Sequence, residues 1–237
     1  MTVRIALLNP NTTDAFTARL GEACRAIASP DTVVVARAPA VGTPSVECHA
    51  DEAVATIGLM QLAREEEALG TDAYVIACFG DTGIDAVREI ASGPVVGMTE
   101  AALQAATTVA AFFSIVTLPP RTIVQAERVV RYLGLSHRCR RIRAIDVLVD
   151  DCIALDETLL TAMIVESRKA LDEDGAEAIV LGCAGLSALV GPMTQALGVP
   201  VIDGVGVALK IAEGLVAAGL RTSKHCSWAT PPRHSVP

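Results

Sequence analysis

Aromatic residues are nearly absent from this chain of 237 residues: Phe, Trp and Tyr together make up 3% of it, with one Trp. The core must therefore be aliphatic, and an apolar content of 51% supplies it. Such sequences suit helices laid on parallel sheets, whose strands are covered on both faces. Long apolar runs are missing too. None approaches the roughly 18 residues that span a bilayer, and the opening MTVRIALLNPNTT is too short and ends too polar for a secretory signal. Positive charge is scarce: the formal net charge of −8 argues against nucleic acid and against an anionic membrane as partners. The seven cysteines are odd in number and lack CxxC or Cys/His ligand spacing. They read as reduced thiols of a cytoplasmic protein, not as a disulfide framework or zinc site. There is no Gly-rich phosphate loop of the nucleotide-binding type, so neither metal nor organic cofactor is expected. None of His49, His137, His225 and His234 neighbours Cys78 or Cys183 in sequence. Surface placement is expected for all four, which disfavours a Cys–His hydrolase.

What the chain does contain is a repeat. Cys78 in AYVIACFGDTGIDAV and Cys183 in AEAIVLGCAGLSALV lie 105 positions apart. Each closes an apolar run of strand composition and precedes a Gly-containing turn and a helix-like stretch. Pro94 in PVVGMTEAA and Pro200 in PVIDGVGVA lie 106 apart, and IALLNPNTT from Ile5 matches SIVTLPPRT from Ser114 at 109. Three anchors at nearly one spacing indicate an internal duplication. This alignment sets Thr117 against Leu8 and Arg121 against Thr12.

Apolar β-rich runs alternate with stretches of helical period. Strands are expected at 3–8, 32–36, 73–78, 94–97, 112–118, 141–146, 176–182 and 200–203. Helices are expected at 13–28, 51–69, 84–91, 99–110, 121–133, 157–172, 187–197 and 205–218. This alternation means βαβ units and parallel sheets. The fold class is α/β, with two pseudo-symmetric parallel-sheet domains and the active site in the cleft between them. The first domain is expected to hold residues 1–98 and 205–237, the second 99–204. The tail from 221 carries three prolines and little periodicity and is expected to be disordered or draped on a neighbour.

In open parallel sheets, ligands bind beyond the carboxyl ends of the strands. The loops at 9–13, 41–47, 78–83, 117–122 and 183–187 begin there. A strand-end thiol followed by a helix faces unpaired N–H groups and the positive end of a dipole. These lower a thiol's pKa from its free value of about 8.5 and hold a developing oxyanion. Two such thiols facing each other across a carbon acid can each move one proton, the thiolate taking it from one face and the thiol returning one to the other. The result is inversion at carbon. A single buried strand-end cysteine is more often a small hydrophobe; the pairing at duplicated positions shifts the balance toward chemistry.

The segments LLNPNTT near the start, GTPSVE at 42–47, ACFGDTG at 77–83, TLPPRT at 117–122, LGCAGL at 181–186 and PVIDG at 200–204 carry a resemblance. In this order they resemble the aspartate/glutamate/hydantoin racemase superfamily, specifically its hydantoin and allantoin racemase branch. The resemblance implies a two-domain pseudo-symmetric fold, with Cys78 and Cys183 as the acid/base residues. Glutamate and aspartate racemases carry CNT at the first cysteine, and glutamate racemases carry CTH at the second. Here Cys78-Phe79-Gly80 and Cys183-Ala184-Gly185 offer backbone N–H groups, which suit the carbonyls of a neutral ring. Arylmalonate decarboxylases resemble the family but keep only the second cysteine. The chain departs from the branch at Thr82, where Pro is usual, and at Thr43-Pro44, where Pro and a small residue are usual.

Other assignments are weighed against structural roles. Asn11 is assigned to a ring carbonyl or N–H, with helix capping as its alternative. Ser45 is assigned to substrate, with turn formation as its alternative, and Glu47 is left open. Thr117 and Arg121 complete the substrate contacts, Arg121 for a polar tail. Asp81 and Asp203 are expected to cap helices or form turns. Cys24, Cys48, Cys139, Cys152 and Cys226 are taken as structural, and the Arg-rich run 138–143 as a solvated strand edge or subunit contact. The reading is a cofactor-independent racemase of 5-substituted hydantoins, with allantoin as the close alternative. A small-diacid isomerase or decarboxylase and a non-catalytic small-molecule binding protein are the competitors. The partner is a small cyclic ureide, and a homo-oligomer is the expected assembly.

Overall fold

A computed structural model describes residues 2–149 and 156–232; Cys152 and His234 lie outside them. Eight parallel strands form two sheets of four. The first sheet has the order β2-β1-β3-β4, from β1 (Val3–Leu8), β2 (Thr32–Arg37), β3 (Ala73–Ile76) and β4 (Val95–Gly97). The second has the order β6-β5-β7-β8, from β5 (Phe113–Thr117), β6 (Cys139–Ala144), β7 (Ala178–Leu181) and β8 (Val201–Ile202). The topologies are identical, as a duplication requires. The connecting helices are α1 (Asp14–Ile27), α2 (His49–Ala68), α3 (Ile84–Ile90), α4 (Met98–Val109), α5 (Ile123–Tyr132), α6 (Glu157–Asp172), α7 (Val190–Leu197) and α8 (Gly204–Ala217). Two 3-10 segments, Pro120–Thr122 and Ala184–Leu189, occupy stretches expected to open α5 and to be loop and helix before α7. Among the described residues no helix is long and apolar enough to cross a membrane.

The chain divides into two compact units. One holds the chain through Ala77, then Thr82–Val96 and the stretch from Ala208 onward; the other holds Cys78–Asp81 and Gly97–Val207. Cys78–Asp81 thus groups with the second unit although β3 lies in the first. In the first unit Leu8, Leu59, Tyr74, Ile76 and Val87 pack together. In the second, Val116, Met163, Ile179, Leu181, Leu186 and Met193 do so. All but a few of these are aliphatic, as the shortage of aromatics dictates.

Strand register corrects the repeat alignment by one residue. Ile5 pairs with Ala73, and Phe113 pairs with Ala178. Since residues 73 and 178 stand in the same relation as the two cysteines, Ile5 corresponds to Phe113, and Thr117 corresponds to Asn9 rather than Leu8. Apolar runs align about equally well at either offset. The ladder decides, because a one-residue slip would turn every side chain to the other face.

Two further expectations change. The described part of the tail is fastened to its own unit. Thr222 Oγ1 bonds Gly93 O at 2.6 Å, Lys224 Nζ bonds carbonyls at the end of α3, and Trp228 Nε1 bonds Asp85 at 3.2 Å while its ring lies 4.9 Å from the Arg88 guanidinium. The Arg-rich run is not simply solvated either. Arg143 is buried among Glu166, Glu173 and Asp174, and Arg138 donates to Thr107 and Ala110 carbonyls at the end of α4.

A single carboxylate joins α8 to the end of α1. Glu213 accepts the Ser29 N–H and hydroxyl, each at 2.8 Å. Burial pushes the Glu213 carboxyl up, but Lys210, Ser29 and Thr32 outweigh that and hold it at about 2. Because its folded pKa lies below the ordinary 4.5, the associated stability is present above that pH and is lost as pH falls toward 2. Urea melts of Glu213→Gln are expected to show a smaller loss of stability between pH 5 and 2 than wild type. Parallel losses would contradict the linkage.

Candidate active site

Each sheet reverses its winding beside its first strand, between β1 and β3 and between β5 and β7. Such switch points are where open α/β sheets take ligands, beyond the carboxyl ends of the strands. The chain leaves both points by the same hydrogen bond. Ala77 N–H donates to Leu8 O at 2.9 Å, and Gly182 N–H donates to Val116 O at 2.8 Å. The next residue in each half is a cysteine, Cys78 or Cys183.

The turns that follow differ. After Cys78 the chain makes a turn closed by Asp81 N–H to Cys78 O at 3.1 Å. Gly80 (φ +105°) and Asp81 (φ +51°) both lie in the left-handed half of backbone space, a conformation that costs a non-glycine residue about 1 kcal/mol or more. α3 begins at Ile84, where the sequence placed it, so Cys78 does not sit at the first turn of a helix and lacks the helix N-terminus expected beside it. Cys183 does: it precedes the 3-10 helix Ala184–Leu189, and its carbonyl accepts Leu186 N–H at 3.1 Å. Cys183 is buried at 7% exposure, and Cys78 is half-buried.

Several expected substrate contacts prove to be engaged elsewhere. The Gly80 N–H donates to Thr99 Oγ1 at 2.7 Å, so it is not the open oxyanion donor the sequence suggested. Thr117 is fully buried, and its hydroxyl donates to Gly182 O at 2.8 Å. A Cβ on Gly182 would fall 2.4 Å from Thr117 Cβ. Thr117 therefore braces the residue before Cys183. Asn11 Oδ1 accepts the Thr13 N–H at 3.0 Å and the Asn9 amide at 2.8 Å; this forms a turn ahead of α1, whose N-cap Thr13 provides no side-chain cap, and leaves the Asn11 amide nitrogen for a substrate. Ser45 Oγ donates to Glu47 at 3.2 Å. Arg121 is exposed in the 3-10 segment Pro120–Thr122, while Phe79, Ala184 and Gly185 are buried in the two turns.

Other residues beside these turns escaped the sequence reading. Gln125 of α5 lies against Gly80, whose added Cβ would meet Gln125 Cβ at 3.1 Å. Gln125 is 3% exposed, and its amide nitrogen has no hydrogen-bond partner among the described residues. Arg128, one turn on, donates to Gly80 O at 3.2 Å. Nothing in a lone Gln on an amphipathic helix marks it out; only its proximity to the turn does. Two carboxylates also stand near the turns, Asp81 buried and Asp203 half-buried. Burial, and then the Glu100 carboxylate, push Asp81 up to about 7, against the pull of the Thr99 and Glu100 N–H groups. Burial raises Asp203 as well, opposed by Gly206 and Val205 N–H and the Ser187 hydroxyl. Among the described residues no three His, Cys, Asp or Glu side chains gather to hold a metal ion.

Comparison with known proteins gives the same picture across nearly the whole chain. The profile of the Asp/Glu/Hydantoin racemase family matches residues 5–212. Hydantoin racemase of Rhizobium meliloti is 45% identical over 97% of this chain and 95% of its own length. Hydantoin racemase of Paenarthrobacter aurescens is 42% identical over 97% and 98%. The solved structure of allantoin racemase from Klebsiella pneumoniae superposes with a TM-score of 0.96 at 44% identity, covering 100% of this chain and 96% of that one. With its duplicated sheets, its two cysteines at equivalent strand ends and this coverage, the chain belongs to the Asp/Glu/Hydantoin racemase family.

Proposed function

We propose that this chain racemises 5-substituted hydantoins at C5 by a two-base transfer between Cys78 and Cys183, without metal or organic cofactor. The observation that carries the reading is the repeated hydrogen bond, Ala77 to Leu8 and Gly182 to Val116, which delivers a thiol to the same place in each half. The C5 proton is flanked by a ring carbonyl and a ring nitrogen. One cysteine, as thiolate, takes this proton and leaves an enolate; the other, as thiol, gives its proton to the opposite face. Solvent then restores both groups. The enolate oxygen needs donors aimed at it. We assign this role to Phe79 N–H in the Cys78 turn on one side and, on the other, to Ala184 and Gly185 N–H, which open the 3-10 helix after Cys183 and so have no intrahelical partner. The Gln125 and Asn11 amide nitrogens serve the remaining ring carbonyl. Ser45 and Arg121 are assigned to the C5 substituent.

Allantoin is a hydantoin with a ureido group at C5, so the same chemistry serves it, and the likeness to an allantoin racemase structure supports it as a second substrate. Polarimetry of single enantiomers of a 5-alkylhydantoin and of allantoin, with chelator-dialysed enzyme, tests the reading. Rotation is expected to decay to zero at a rate proportional to enzyme. Steady rotation with both rings, or activity lost to chelation and restored by a divalent ion, would overturn it.

A further inference from the structure

The N-termini of α4 and α8 are equivalent under the repeat: Thr99 and Glu100 correspond to Val205 and Gly206, 106 positions on. One carboxylate caps each pair of N–H groups. For α8 it comes from the residue directly before the helix. Asp203 accepts Val205 N–H at 3.1 Å and Gly206 N–H at 3.0 Å. The corresponding residue before α4 is Gly97, which has no side chain. There the carboxylate comes from Asp81, which accepts Thr99 N–H at 2.8 Å and Glu100 N–H at 2.9 Å. A Cβ on Gly97 would lie 2.3 Å from Asp81 Cγ. The two positions are complementary: Gly97 leaves the space that Asp81 fills.

Capping alone does not require this arrangement, since an aspartate at 97 would cap α4 as Asp203 caps α8. What the arrangement adds is a tie from the cysteine's own turn. Asp81 belongs to the turn opened by Cys78, and a second bond, Gly80 N–H to Thr99 Oγ1, runs in parallel at 2.7 Å. The other half makes its tie indirectly, through Ser187 Oγ to Asp203 at 3.0 Å.

We infer that Asp81 is a positioning residue for Cys78: by capping α4 from within the cysteine's turn, it fixes where the thiol meets the substrate. The inference rests on the proposed acid/base role of Cys78. Moving the carboxylate separates the two duties. The double variant Asp81→Gly with Gly97→Asp places it at the strand end, as in the other half. Glycine accepts the φ of +51° at 81, and Gly97 has φ −81° and ψ 143°, which suit an aspartate.

Asp81→Gly alone is expected to lower the melting temperature. The double variant is expected to restore most of it, yet to keep kcat about 100-fold below wild type with KM little changed, the cost of a misplaced reacting group. Full recovery of kcat together with stability would overturn the inference, because the cap alone would then suffice. If the double variant does not fold, Asp81→Asn decides: it keeps one acceptor oxygen, and a wild-type kcat would be equally fatal. Cys78→Ser assayed alongside keeps the two failures apart. An active Cys78→Ser removes the acid/base role of the cysteine; an inactive one beside a fully active double variant removes only the role of Asp81.

Discussion

Cys78→Ser and Cys183→Ser are each expected to lower kcat for racemisation by at least about 10³-fold, with far-UV circular dichroism and melting temperature little changed. A positioned acid or base contributes about 10²–10⁴-fold, and a serine hydroxyl is far too weak an acid near neutral pH to replace a thiol on either face. Neither cysteine belongs to a strand ladder: each is the second residue after its strand, so exchanging sulfur for oxygen leaves the sheets intact. The double variant is expected to be little worse than either single one, because one reaction needs both groups. A sharper signature lies in exchange. Each single variant keeps a thiol on one face, so it should still exchange the C5 proton of one enantiomer with solvent, and the two variants should favour opposite enantiomers. Chiral chromatography with NMR reads this directly. Racemisation at the wild-type rate by either variant removes the two-base assignment.

Free aspartate and glutamate are expected to have kcat/KM at least about 10³-fold below that of a 5-alkylhydantoin or allantoin. An amino acid brings a carboxylate and an ammonium, and each is costly to desolvate without a partner. Sites built for one set of polar groups reject another by factors of this order. The Cys78 turn has spent its Gly80 N–H on Thr99 and its Asp81 carboxylate on α4. At the Cys183 turn, Ser187 Oγ donates to the Ala184 carbonyl and to Asp203. What is left suits amide groups. Arg121 is the exposed cation that would serve a free carboxylate, so Arg121→Ala should lower any residual amino-acid turnover more than hydantoin turnover. Steady-state kinetics on all four substrates settles the point; a higher value for either amino acid than for both rings places the substrate preference elsewhere.

Sequence periodicity located the strands and helices well. Val3–Leu8 and Glu157–Asp172 carry the bounds expected of them, because each is a sustained pattern with clear ends. The expected strands at 73–78 and 176–182 overran the observed Ala73–Ile76 and Ala178–Leu181. Composition does not record where a neighbouring strand turns away, and β1 ends at Leu8 opposite Ile76. The cysteine pair was legible because duplication repeats its surroundings. The binding residues were less so. Thr117 was expected at the point where strand gives way to loop, but the corrected register makes it the repeat counterpart of Asn9, and both are buried braces whose side chains bond within the fold. The Asp81–Gly97 pairing joins two loops that only tertiary structure brings together. Even so it left a trace: the Pro94–Pro200 spacing of 106 already sets Gly97 against Asp203, so the missing carboxylate stood in the repeat itself.

The most direct test of the two-base account is the first few per cent of turnover of one enantiomer of a 5-alkylhydantoin in D2O, corrected for spontaneous exchange. The two enantiomers are then separated and their C5 positions read by NMR. With one thiol removing hydrogen and the opposite thiol delivering a solvent-derived deuteron, the product enantiomer should be almost fully deuterated while the unreacted substrate still carries hydrogen. Product that retains the substrate's hydrogen, or equal deuteration of both enantiomers from the start, would show that a single base serves both faces.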